Sequence, residues 1–185
     1  MSDQYGQFYS TALAGNVFIG STAVAGVAFP ISTGTAATFG LWNTNPNMNA
    51  VLLNLAGGYT SGTIALGTIG LANVSATTVA TGSNITAFTD GVLGTTIRNA
   101  KIGQGAAPTM RFTPSAATVV GNTAAVWTGP SIESATAGLG LFQFNIDLTK
   151  HALIVPYGQF VFVCGSVAQT GVFTMSLTWA EVPVA

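Results

Sequence analysis

The chain has 185 residues, enough for a substantial hydrophobic core. Only 5% of them are Asp, Glu, Lys or Arg, against roughly 25% in ordinary soluble domains. The formal net charge is −1, and Arg98, Lys101, Arg111 and Lys150 are too few and too scattered to form a basic nucleic-acid footprint. A single cysteine, Cys164, excludes an intrachain disulfide framework, and a single histidine, His151, excludes a histidine-rich metal site within one chain.

Between Asp3 and Asp90 the only ionisable side chains are Tyr5, Tyr9 and Tyr59. A surface with so little charge does not keep copies apart. Two readings follow: a Ser/Thr/Asn coat, or a surface largely buried in an assembly, and the second is the expectation. Low charge also raises a membrane. The stretch from Thr11 to Phe29 is uncharged, but Asn16, Gly20, Ser21, Thr22 and Gly26 dilute it below a spanning helix. Met1-Ser2-Asp3-Gln4 lacks the basic start of a signal peptide. An outer-membrane barrel would need aromatic girdles and polar lumen positions, whereas the aromatics here are scattered and several segments are apolar on both faces.

In chain order, residues 1–15 are polar-aromatic without a period and are expected to form an N-terminal arm that orders against a neighbour. Asn16–Gly20 and Ala23–Phe29 are expected to be short strands, the second ended by Pro30. Ala37–Trp42 is a further strand, broken by the turn formers Asn43-Thr44-Asn45-Pro46-Asn47. Ala50–Ala56 has some helical propensity at Val51-Leu52-Leu53, but Gly57-Gly58 comes too early for an ordinary helix, so a strand ending there is expected. Thr63–Ala72 alternates in part, with Ile64, Leu66 and Ile69 on the core side. From Asn73 to Gly105 the chain is Thr/Ala/Gly/Ser-rich and irregular, as side loops are. Ala117–Val120 and Ala124–Trp127 flank Gly121-Asn122, and Leu139–Leu148 puts Phe142, Phe144 and Ile146 on one face.

The end of the chain has the clearest pattern. Ala152–Val155 is apolar and Pro156-Tyr157-Gly158 makes a turn. Phe160-Val161-Phe162-Val163-Cys164 is a continuous apolar run too short for a helix, which predicts a strand covered on both sides. In Val172–Trp179, Phe173, Met175, Leu177 and Trp179 alternate with Thr174, Ser176 and Thr178, the period of a strand with one buried face. Helix signals are weak throughout and no internal repeat is visible. The pattern predicts an all-β fold, a two-sheet antiparallel sandwich of jelly-roll type with about eight strands. Residues 1–15 would be the arm and 16–185 a single sandwich domain. An immunoglobulin-like sandwich is the rival, but it ordinarily fits in about 100 residues.

Chemistry is sparsely represented. Asp147 and His151 are four apart at a strand end, where that spacing joins nothing, and no G-x-S-x-G elbow is present. Asp90 and Glu133 are not tied together as a carboxylate pair. Phosphate-loop and dinucleotide fingerprints are absent. Asn73-Val74-Ser75 and Asn84-Ile85-Thr86 match the N-glycosylation pattern, as chance allows in a chain rich in these residues. Trp42, Tyr59 and Trp127 would stack on sugars if exposed, but core or subunit contacts are the preferred reading. The expectation is no enzyme and no catalytic, cofactor-binding or metal residues, with no nucleic-acid, membrane or small-molecule substrate partner.

Two stretches carry a resemblance. One is Gly40-Leu41-Trp42-Asn43, Pro46, Val51-Leu52-Leu53 and Gly58-Tyr59-Thr60-Ser61-Gly62. The other is Leu153-Ile154-Val155-Pro156-Tyr157-Gly158 followed by Ser176-Leu177-Thr178-Trp179-Ala180-Glu181-Val182-Pro183. Over these parts the chain resembles small jelly-roll virion structural proteins of tailed bacteriophages. The resemblance implies a capsid decoration, cement, minor capsid or fibre-base protein on the virion surface. Such a protein would be a homotrimer contacting itself and the major capsid protein, with no functional residues to carry over. Tyr5, Phe8, Tyr9, Trp42 and Tyr59 are the candidate subunit or shell contacts. The alternative is a receptor- or carbohydrate-binding head of a tail fibre, or a secreted lectin-like domain.

Overall fold

The computed structural model describes residues 6–103, 105–120, 124–126, 129, 131–132 and 142–184. They form helix α1 (Gly6–Leu13) and fifteen strands. The first eight are β1 (Val17–Ser21), β2 (Ala36–Ala37), β3 (Gly40–Trp42), β4 (Met48–Ser61), β5 (Gly67–Ser75), β6 (Ile85–Phe88), β7 (Ile97–Asn99) and β8 (Arg111–Thr113). The others are β9 (Ala117–Val119), β10 (Ala124–Val126), β11 (Ser131–Ile132), β12 (Gln143–Asp147), β13 (Ile154–Val155), β14 (Gln159–Gly165) and β15 (Val172–Pro183). The strands pair antiparallel in three sheets, so the chain is all-β. The front sheet runs β12-β4-β15-β1-β7 with β13 also on β4, and the middle sheet runs β10-β5-β14-β3-β8 with β11 also on β5. A small back sheet, β2-β9-β6, makes a third layer where two were expected.

The order of the two large sheets has a simple logic. Strands in corresponding positions are neighbours along the chain: β4 and β5, β15 and β14, β7 and β8, and β1 and β3 once the two-residue β2 is passed over. Each of these connections therefore crosses from one layer to the other instead of making a hairpin within a sheet.

The main core lies between front and middle sheets. Phe18, Leu52, Leu55, Met175, Leu177 and Trp179 come from the front, and Leu41, Ile69, Leu71, Phe112, Val161 and Val163 from the middle. Trp179 is stacked between Phe18 and Phe112, each 5.7 Å away between centroids. A second core fills the space behind the middle sheet, where Trp42, Val74, Phe160, Phe162 and Cys164 meet Ala37, Ile85, Ala117 and Val119 of the back sheet. The apolar run of β14 is thereby explained: Val161 and Val163 face forward while Phe160, Phe162 and Cys164 face back, and all are buried. A strand inside a three-layer stack has no polar face to alternate with.

Several segments depart from the expected pattern. Residues 6–13, read as part of an arm, form α1, whose Ala12 packs with Val17, Leu53 and Ala180 on the outer face of the front sheet. An eight-residue helix is too short to hold by propensity alone, so its signal is tertiary. Ala23–Phe29 is not a strand; it makes an isolated bridge from Val27 to Phe173. Ala37–Trp42 splits, since Thr38 turns to donate to the Ala28 carbonyl and the chain passes from back to middle sheet. Instead of stopping at Gly57-Gly58, β4 runs through to Ser61. There a side chain on Gly57 would come within 2.5 Å of the Phe144 ring and 2.9 Å of the Thr174 carbonyl. Gly57 serves close approach rather than a turn, whereas a side chain on Gly58 would meet only Gln143, at 3.8 Å. Ile69 is fully buried and Ile64 packs on the core, but Leu66 is exposed. The region from Asn73 to Gly105 is less irregular than expected, holding the end of β5 together with β6 and β7.

The turn at Asn43–Asn47 forms as its composition suggests. Asn43 Oδ1 accepts from Asn45 N, and Asn45 Oδ1 from Asn47 N, both at 2.9 Å. Asn43 is itself fully buried, and its amide donates to the carbonyls of Met48 and Val155.

Candidate interaction surface

The charged side chains are largely engaged internally. Arg111 forms a two-pronged pair with Asp90, at 2.8 and 2.7 Å. Its guanidinium carbon sits 5.0 Å from the Trp42 ring centroid and 4.6 Å from that of Phe88. Asp147 caps the turn Leu148–His151: its Oδ1 accepts from the Thr149 amide and hydroxyl, and Oδ2 lies 3.7 Å from Lys150 Nζ. The Thr149 hydroxyl is the main reason the Asp147 carboxyl is held below the usual range, with its amide and Lys150 adding to it. Exposed His151 follows in this turn, and its spacing from Asp147 reflects the cap. Asp90 is engaged with Arg111, and Glu133 lies outside the described residues.

Glu181 was not singled out by its type, yet it is 2% exposed. Its Oε1 accepts from Thr109 N, Met110 N and Trp179 Nε1, and its Oε2 from Thr109 N and Oγ1. The carboxylate thus fastens the segment before β8 to the end of β15. A signal for it exists in the sequence: Glu181 is in phase with Phe173, Met175, Leu177 and Trp179, so continued alternation puts it on the core face.

The remaining exposed cation on a strand, Arg98, stands on β7 beside Ile19 of β1. Both point away from the core, because their neighbours Phe18 and Ile97 point in. From there the outer face of the front sheet crosses Thr178, Asn54 and Asp147 in one row, and Ser21, Ser176, Ala56 and Asn145 in the next. Thr174, Gly58 and Gln143 make a third. Asn54 Nδ2 donates to Asn145 Oδ1 at 2.6 Å. The result is a face whose interior rows carry small uncharged groups, with Arg98 and Asp147 at the two ends of the first row and a shallow open hollow over Ala56, Gly58, Gln143, Asn145, Thr174 and Ser176. It is bordered by α1 with Tyr9 65% and Leu13 53% exposed.

Of the candidate contacts, Tyr9 is on this border. Trp42 is 1% exposed, with its Nε1 donating to the Ala76 carbonyl at 2.8 Å, so it belongs to the core and offers no ring face to a sugar or a subunit. Tyr59 is half-buried against Phe173, and its hydroxyl donates to the Gly62 carbonyl. Phe8 lies on α1, while Tyr5 and Trp127 fall outside the described residues. Cys164 is fully buried, and desolvation pushes its thiol up to about 12. Among the described residues no group of three His, Cys, Asp or Glu side chains is placed to hold a metal ion. No described helix is long and apolar enough to cross a membrane.

The class these observations define is an all-β, multi-sheet protein whose front sheet presents an outer face of mostly small polar residues. No family model, curated protein or solved structure matches the chain.

Proposed function

We propose that the chain is a non-enzymatic structural protein of a bacteriophage virion. In this reading it is a capsid decoration, cement or minor capsid protein that acts at the particle surface through contacts with its own copies, as a homotrimer, and with the major capsid protein. The observation that carries the proposal is the outer face of the front sheet. Its three open rows carry Ser, Thr, Asn, Gln, Gly and Ala, with charge only at the two ends of the first row, a composition that lets another protein surface pack against it without burying an unpaired charge. Five strands about 4.8 Å apart give a width of about 19 Å. A stable interface needs about 800 Å² from each partner, so α1 with Tyr9 and Leu13 must extend the contact.

A jelly-roll reading of the fold is part of the proposal. Its support is the pairing of chain-adjacent strands at corresponding positions of the front and middle sheets, as expected when hairpins roll up into two layers. The order along the chain would be a rearranged version of that plan.

Light scattering across a dilution series tests the assembly. The expected result is a concentration-independent trimer, with Ser176→Arg, which places a long cation in the middle of this face, giving a folded monomer. Wild-type protein that is monomeric at every concentration, or a Ser176→Arg variant that stays trimeric, would overturn this use of the face.

A further inference from the structure

We propose that the cleft between the two large sheets, at the edge where β13 and β10 stand apart, binds a small uncharged amphiphile: an alkyl or aryl chain ending in a hydroxyl. β13 belongs to the front sheet and β10 to the middle sheet, and the space between the two sheets opens at this edge. The opening is a cavity of about 310 Å³ walled by Leu52, Leu71, Val126, Leu153, Val155 and Val161. That is the space of about ten waters at about 30 Å³ each, and it falls in the range of small-ligand sites.

The polar end of the cleft is built from two amides. Along β5 and β14, residues alternate between the front-facing and back-facing cores. Asn73 and Gln159 fall in phase with front-facing Leu71, Val161 and Val163. The front-facing surface of the middle sheet therefore changes from aliphatic to amide at this end. Asn73 Nδ2 donates to Gln159 Oε1 at 2.9 Å, and Gln159 Nε2 to Ser75 Oγ at 2.6 Å. This chain fixes both amides and leaves Asn73 Oδ1 without a donor among the described residues. A ligand hydroxyl would supply one. Among the described residues no charged side chain lines the cleft, so a carboxylate or ammonium head would be desolvated with no counterion from them. The selectivity is for an alcohol over the acid of equal length.

The test is an octanol titration of the ¹⁵N-labelled full chain followed by NMR. Expected are saturable shifts of the Asn73 and Gln159 side-chain amides, with octanoate at neutral pH binding at least about tenfold more weakly. Asn73→Leu should weaken octanol by about fivefold to tenfold through loss of the acceptor. Val126→Trp, at a half-exposed edge position, should block binding with the rest of the spectrum retained. Unsaturable shifts, equal binding of octanoate, or full binding by Val126→Trp would each overturn the proposal. So would cleft resonances that move on dilution of the protein alone, because the cleft would then hold a side chain of a second copy.

Discussion

Removing the Glu181 carboxylate should loosen the join between β15 and the segment leading into β8, by an amount that depends on which oxygen is lost. In Glu181→Ala all its donors lose their acceptor. Thr109 is exposed, so its amide and hydroxyl recover water. Met110 N and Trp179 Nε1 are on buried residues and stay unpaired. Two orphaned buried donors at about 1–2 kcal/mol each give a loss of about 3 kcal/mol. In Glu181→Gln the retained carbonyl can take the Oε1 position and hold Met110 N and Trp179 Nε1. The new NH2 then faces only Thr109, whose hydroxyl can rotate to accept. The cost falls to about 1 kcal/mol, mostly the lost charge assistance. Urea denaturation followed by tryptophan fluorescence measures both, and the alanine variant should melt about 6–12 °C lower in a chain of this size. A Glu181→Ala protein within about 0.5 kcal/mol of wild type would refute the account, because surface substitutions change stability no more than that. Equal losses in the two variants would refute the division between the two oxygens.

Three further outcomes follow from the same geometry. Gly40→Ala should destabilise by about 1–3 kcal/mol in chemical denaturation, because its Cβ would run into the Val161 carbonyl and lie 2.8 Å from the Phe160 ring. Arg111→Lys should cost about 1 kcal/mol, since an ammonium keeps a charge near Asp90 but neither the fork nor the flat contact with Trp42 and Phe88; a double-mutant cycle with Phe88→Leu reads the stacking part. The Cys164 thiol should resist a water-soluble disulfide reagent at neutral pH until the protein is unfolded. Its value is raised from 9.0 to about 12 on folding, so the unfolded chain gives up the proton first. Stability from this group is then complete below about pH 9 and lost as pH rises toward 12. Urea midpoints across that range should fall less in Cys164→Ala.

What could be read from the residues were the strands whose surroundings impose one simple period. The alternation in β15 survives because one face meets the core and the other stays half-open, and the unbroken run of β14 reports a strand covered front and back. The Asn43–Asn47 turn was legible because its side chains bond to their own backbone, a local event. Most of the remaining strands have only two to four residues, too few to show a period, and they exist because a longer neighbour supplies the hydrogen bonds. Gly57-Gly58 looks like a stop until Phe144 is packed over it. Composition by itself also determined that the surface would be nearly uncharged, with five acids and four bases among 185 residues. Only the tertiary structure decided where those few charges went: Asp90 and Arg111 to each other, Glu181 inside, and Arg98 and Asp147 to the two ends of one row of the front face, whose interior is left mostly to Ser, Thr and Asn. Pairing and burial join residues far apart in the chain, and a local pattern carries no record of its distant partner.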